Sequence, residues 1–187
     1  MGPRVKIRET QLLDVRVVES ETLNDHRGAF RRLFCSHELR VILGERSVVQ
    51  INQSRTHALG AVRGLHYQRT PYAEMKLVRC LRGRVWDVAL DLRAGSPTLL
   101  QWHGEELSAE NARMLVIPEG CAHGFQVLEP NSELLYLHTM YYTPDAEAGV
   151  RFDDPLADIR WPLAAVDLSM RDLQHALLEA DFTGLQV

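Results

Sequence analysis

Hydrophobic and polar positions alternate with a period of two through much of this chain, most clearly in RVWDVALDL at Arg84 to Leu92. Trp86, Val88, Leu90 and Leu92 fall on one face and Asp87, Ala89 and Asp91 on the other, the pattern of a strand with one apolar side and one small, polar side. The preceding run, Glu74 to Leu81, places Lys76, Val78 and Cys80 on one face and Met75, Leu77 and Leu81 on the other. Arg82-Gly83 between the two runs predicts a hairpin. Further strands are expected over Met114 to Ile117, Gly124 to Leu128 and Leu134 to Tyr142, separated by the turn-forming stretches PEG and EPNS. Short strands at such spacing predict an antiparallel sandwich or barrel.

Helix signals are few. Ser36 is placed to cap HELRVIL with Gly44 closing it, and Ser169 to cap a tail helix that begins MRDLQHALLE. Pro162 keeps Trp161 out of the α region, so the tail approaches in extended form and can reach back across a sheet.

A chain of 187 residues, 45% hydrophobic and 25% charged, suits one globular domain with a substantial core. No repeat, low-complexity run or linker marks a boundary within it. The net charge of -4 comes from acidic and basic side chains mixed along the whole length, so no basic stripe exists to follow a nucleic-acid backbone. A local group of arginines still suits a phosphorylated small molecule. Cys35, Cys80 and Cys121 are odd in number and lack paired spacing, which argues against a disulfide framework and against a thiolate zinc site. The opening MGPRVKIRETQ has no apolar run for a signal peptide, and no stretch approaches the roughly 20 apolar residues of a membrane span. No membrane partner and a cytoplasmic location are the expectation.

Chemistry concentrates in RGLHYQ, Arg63 to Gln68, where His66 and Gln68 share a face. A metal site wants further histidines or a carboxylate close by, and His66, Gln68 and His123 together make a poor ligand set for iron, manganese or zinc. His66 is otherwise a structural histidine or a general base, and a base is held in one tautomer by a partner on its second nitrogen, usually a carboxylate. Asp87, Asp91 and Asp172 are candidates between which spacing does not choose, and Asp172, three after Ser169, also fits a capping box. Tyr136, His138 and Tyr142 share a face of the last strand, the lining of a cavity or a half-exposed aromatic ladder. Lys76 lies on an otherwise apolar face, and Arg27 and Arg63 each adjoin a glycine.

DHRGAF, AVRGLHYQ, KLVRCLRGRVWDVALDLRAGSPT, ELSAENARMLVIPEGCAHGFQVL, LLYLHTMYYTP and DDPLADIRWPL occur in this order between about Asp25 and Asp172. Together they resemble the dTDP-4-dehydrorhamnose 3,5-epimerase (RmlC) family. The resemblance implies an all-β, cupin-type jelly-roll sandwich with a few short helices and a metal-free, cofactor-free homodimer. The expected organisation is a single epimerase domain over residues 1–187, with an arm to about 50, a core to about 145 and a tail beyond.

Residue by residue, the resemblance makes His66 the general base, Asp172 the carboxylate that orients it, Tyr136 the proton donor and Lys76 the cation beside the C4 carbonyl. Arg27, Arg63, His123 and Arg171 match positions near the diphosphate. Gln50, Asn52 and Tyr142 match nucleoside contacts, and Glu147 a further substrate contact. The chemistry suits these residue types: a 4-keto group acidifies the hydrogens on C3 and C5, a base removes one, a cation stabilises the enolate, and a phenol reprotonates from the opposite face. Four departures stand out. Arg32 replaces a usual glutamate, Leu137 a lysine, QINQS at Gln50 to Ser54 the usual QDNHS, and Arg171 a lysine. A cation at Arg32 reverses what that position recognises, leaving dTDP and CDP both open as the nucleotide.

The expected function is epimerisation of a nucleotide-linked 4-keto-6-deoxyhexose, at C3 and C5 or at C3 only, in deoxysugar biosynthesis such as that of dTDP-rhamnose. The rivals are a 3,4-ketoisomerase, a non-catalytic nucleotide-sugar-binding cupin and a metal-dependent cupin.

Overall fold

The computed structural model describes residues 4–187, and the first three positions of the expected N-terminal arm lie outside the described residues. In chain order come strands β1 (Val5–Glu9), β2 (Arg16–Ser20), β3 (Thr22–Asp25) and β4 (Gly28–Arg31), then helix α1 (Arg40–Leu43). The central run is β5 (Gln50–Thr56), β6 (Val62–Gln68), β7 (Lys76–Arg82), β8 (Arg84–Asp91), β9 (Trp102–Ser108), β10 (Arg113–Ile117), β11 (Cys121–Val127) and β12 (Ser132–His138). A 3₁₀ turn (Pro144–Ala146), β13 (Glu147–Gly149) and helix α2 (Met170–Gln174) follow.

Two antiparallel sheets pack face to face. One has the order β1-β2-β10-β7-β12-β5, the other β13-β6-β11-β8-β9, and β3 and β4 form a separate ribbon. The jelly-roll sandwich is therefore observed as expected. Its core is built from one face of each strand: Val78 and Cys80 of β7 and Leu134 of β12 meet Phe125 of β11 and Val85 and Ala89 of β8, the side of β8 that alternation marks as small and polar. The opposite face of β8 is also buried. Trp86, Val88, Leu90 and Leu92 pack against Ile159, Trp161, Leu178 and Phe182 of the tail, which does reach back across the sheet. On the outside of the larger sheet, Leu77 and Leu137 pack with Leu39 and Leu43 beneath α1. Leu137 thus serves packing, as its alternation with Tyr136 predicts.

Four local expectations are corrected. Arg82-Gly83 does not close a hairpin, because β7 and β8 lie in different sheets. Gly83, at φ +72°, instead carries the chain across the sandwich so that the inner faces of the two strands oppose each other. The last long strand ends at His138 and not at Tyr142. There the Thr139 hydroxyl accepts the Met75 N–H at 2.9 Å, tying off the ladder. Ser36 caps nothing: α1 begins after Leu39, which has no side-chain cap and is anchored by its burial under the sheet. Ser169 does cap α2, but the helix stops at Gln174. Beyond it the chain opens out so that Leu178 reaches the tail core, its N–H donating to Asp154 Oδ2 at 2.7 Å.

Candidate active site

At one end of the sandwich the apolar core gives way to an open cleft of roughly 270 Å³ between the sheets. Tyr136 and His138 of β12, Lys76 of β7 and Asn52 and Ser54 of β5 enter it from the larger sheet. Arg63 and His66 of β6, His123 of β11 and Glu147 of β13 enter it from the smaller. His66 and Tyr136 therefore line one cleft from opposite walls.

The carboxylate that pairs with His66 is Asp172. Its Oδ1 lies 2.7 Å from His66 Nε2, and its Oδ2 accepts the Gly64 N–H at 3.2 Å. Gly64, at φ +119°, admits this approach: a Cβ there would stand 2.6 Å from the Cα of Gly124 on the neighbouring strand. The capping expectation is half met, since the Asp172 N–H donates to Ser169 Oγ at 3.0 Å while its carboxylate is committed to β6. Burial opposes the Asp172 charge, but the hydrogen bond and charge of His66, the Gly64 N–H and the Ser169 hydroxyl outweigh it and hold the carboxyl below its ordinary range. An ionised Asp172 only accepts, so His66 carries its proton on Nε2 and presents a free lone pair at Nδ1. Arg171 Nη2, 3.3 Å from that same Nε2, is a charge contact and not a hydrogen bond, because both groups are donors.

The Tyr136 hydroxyl is 2.9 Å from Ser54 Oγ. Burial pushes the phenol well above its ordinary range, so it stays protonated and can act as an acid. Lys76 Nζ is 3.2 Å from Glu74 Oε1 and donates to the His66 carbonyl at 3.3 Å. His123 Nε2 lies 2.8 Å from Asp87 Oδ1, and Asp87, wholly buried, is pushed up by desolvation against the pull of that imidazole. At the mouth, the Tyr142 hydroxyl donates to Glu147 Oε2 at 2.8 Å and Arg171 Nη1 to the same oxygen at 2.9 Å.

Of the residues named from the sequence, His66, Tyr136, Lys76, Asn52, Arg63, His123, Tyr142, Glu147 and Arg171 line the cleft, and Asp172 stands behind His66. Two do not. Gln50 sits outside the lining and uses its Oε1 to accept the Tyr142 N–H at 3.1 Å. Arg27 lies on the β3–β4 ribbon, 77% exposed, with its guanidinium 2.5 Å from Asp25. Arg32 pairs with Glu38 at 2.8 Å.

Sequence reasoning gave no role to Ser54 or Glu74 of the cleft wall, and left His138 open between a cavity lining and a half-exposed aromatic ladder. Ser54 partners Tyr136, and Glu74 and His138 form a further carboxylate–imidazole pair, Glu74 Oε2 to Nδ1 at 2.6 Å. Spacing held the signal for the pair: Glu74 and Lys76 are two apart, as are Tyr136 and His138. Burial raises the Glu74 pKa, but the His138 hydrogen bond and the Lys76 charge more than offset this and keep it ionised. As for a metal, His66, Asp172 and His175 offer donor atoms within 4.8 Å of one another. The Arg171 guanidinium, 3.9 Å from Asp172 Oδ1, already supplies a cation at that carboxylate.

A sequence model of the dTDP-4-dehydrorhamnose 3,5-epimerase family matches residues 9–180. The enzyme of that name from Shigella flexneri is 40% identical over 95% of this chain and 99% of its own length. That from Pseudomonas aeruginosa is 44% identical over 95% of this chain and 98% of its own. Among solved structures, the Legionella pneumophila RmlC complex with dTDP-4-keto-L-rhamnose superposes with a TM-score of 0.90 at 39% identity, covering 97% of this chain and 98% of that one. With a matching sequence model, relatives that span its length and a cleft of this composition between two jelly-roll sheets, the chain belongs to the dTDP-4-dehydrorhamnose 3,5-epimerase family.

Proposed function

We propose that this protein inverts C3 and C5, or C3 alone, of a nucleotide-linked 4-keto-6-deoxyhexose. His66 Nδ1 takes the proton beside the carbonyl, and Asp172 stabilises the imidazolium that results. Lys76 faces the oxygen on which enolate charge develops, and Tyr136 returns a proton from the other wall. Arg63, His123 and Arg171 serve the diphosphate, with Asn52, Tyr142 and Glu147 toward the nucleoside. The observation that carries this reading is the opposition of a carboxylate-anchored imidazole and a protonated phenol across one cleft. The ligand of the Legionella enzyme supports the substrate class.

Arg27 is exposed and takes no part in the cleft lining of its own chain, so a part in binding the diphosphate requires delivery of the β3–β4 ribbon by a second copy. We therefore take the working unit to be a homodimer of single-domain chains. The test is incubation with dTDP- and CDP-linked 4-keto-6-deoxyglucose in heavy water, read by NMR. Deuterium at C3, or at C3 and C5, is expected, and its absence from both positions with both nucleotides overturns the assignment.

A further inference from the structure

Glu74 and His138 lie inside the cleft, yet the reaction outlined above uses neither. They form one continuous chain of contacts that ends on Lys76. Asn52 Nδ2 stands 3.3 Å from His138 Nε2, His138 Nδ1 2.6 Å from Glu74 Oε2, and Lys76 Nζ 3.2 Å from Glu74 Oε1. An amide nitrogen only donates, so His138 Nε2 accepts and the ring proton sits on Nδ1, directed at the carboxylate. Each link of the chain then joins a donor to an acceptor, and both oxygens of Glu74 are occupied.

An ammonium has three N–H groups. Glu74 Oε1 and the His66 carbonyl engage two of those on Lys76, leaving the third for the cleft. The lysine side chain is 11% exposed and that of Glu74 7%, so water cannot replace these contacts freely. A flexible four-carbon stem is thereby reduced to one orientation, in which a single donor is available to an oxygen of the substrate.

We propose that Glu74, itself held by His138, is a positioning residue that aims Lys76 at the substrate's keto oxygen and thereby sets the rate of enolate formation, with no part in holding the nucleotide. The inference rests on the epimerase reading above. It requires a carboxylate at this position. A glutamine offers one acceptor oxygen to two donors, Lys76 Nζ and His138 Nδ1–H, and turns its amide nitrogen toward whichever donor it fails to serve.

The experiment is deuterium exchange at C3 of dTDP-4-keto-6-deoxyglucose, with dTDP affinity and thermal midpoint measured in parallel, on Glu74→Gln in two backgrounds. With Lys76 present, the turnover of exchange is expected to fall at least tenfold while KM and dTDP affinity stay within twofold. In a Lys76→Met background the same change is expected to alter exchange by less than twofold, because there is no ammonium left to aim. His138→Leu, which removes the support without touching Glu74, should show the same dependence on Lys76 and serves where Glu74→Gln does not fold. Equal losses in both backgrounds mark a purely structural role and overturn the proposal, as do unchanged turnover or a loss confined to KM. Exchange by the unsubstituted protein that Glu74→Gln leaves intact refutes the positioning role alone. No exchange by the unsubstituted protein refutes the epimerase reading and this inference together.

Discussion

Replacing Asp172 by asparagine tests the central geometry most directly, because it changes charge and proton position with almost no change in shape. The carboxylate has two obligations, the Gly64 N–H at 3.2 Å and His66 Nε2 at 2.7 Å. Asparagine has one acceptor. If its oxygen stays with Gly64, its NH₂ faces His66, and Nε2 must then accept. The ring proton moves to Nδ1, the atom that has to be free for the base to work. Loss of a charged hydrogen-bond partner alone costs about 1.5–3 kcal/mol, or roughly a 10- to 150-fold slower reaction. Reversal of the tautomer acts on top of this, and the equivalent change in serine-protease triads costs about 10,000-fold. We therefore expect deuterium uptake at C3 to slow by at least a hundredfold in Asp172→Asn, with dTDP affinity within twofold. The assay is NMR of the substrate's C3 proton in heavy water at saturating substrate. A rate within tenfold of the unsubstituted protein means that Asp172 does not set the state of His66.

His66→Ala should abolish washout of substrate hydrogen while leaving nucleotide affinity nearly intact, and retained washout removes His66 from the base role. Tyr136→Phe keeps the ring and removes the proton, so exchange at C3 should continue while inversion, followed by chiral product analysis, fails. Normal inversion points to another donor. A fourth prediction concerns acid stability. Buried Asp91 is held at about 2 against an ordinary 3.8, since the hydrogen bonds from Arg93, Ser96 and Thr98 outweigh the opposing cost of burial. Because the folded value is depressed, the contribution of about 2 kcal/mol is fully present above the ordinary value and is lost as pH falls through it toward about 2. Urea unfolding should lose stability across that interval, and Asp91→Asn should flatten the dependence. A slope unchanged by the substitution assigns the acid sensitivity to other groups.

Alternation made a good part of the fold legible, because a strand buried on one face has to write its register into every second residue. It set Val78 and Cys80 on one face of β7 and Leu137 opposite Tyr136, as they are, but the apolar face it marked on β8 packs outward against the tail while the small, polar face turns into the sandwich. What alternation cannot express is which sheet a strand joins. Two adjacent strands with a glycine between them read equally well as a hairpin or as a crossing from one sheet to the other, and β7 and β8 cross. The start of α1 was hidden for a related reason. It is fixed by Leu39 packing beneath a distant sheet, and packing overrides a serine three residues earlier that would serve as a cap in isolation.

The site divides along the same line. Residue type and two-residue spacing singled out His66, Lys76 and the Tyr136 face, but whether two side chains form a pair is a statement about distance. Asp172 is 106 positions from His66 and arrives on a one-turn helix, whereas Asp87 and Asp91 are nearer in sequence and are spent elsewhere, on His123 and on Arg93. Only the path of the tail decides among the three. The covering of the smaller sheet by Ile159, Trp161 and Leu178, an unremarkable patch of apolar burial, is thus also what delivers Asp172 to His66. With His66 as the proposed base, catalysis requires the tail to stay docked, and loosening that apolar contact should weaken the His66–Asp172 pair before it unfolds the sandwich.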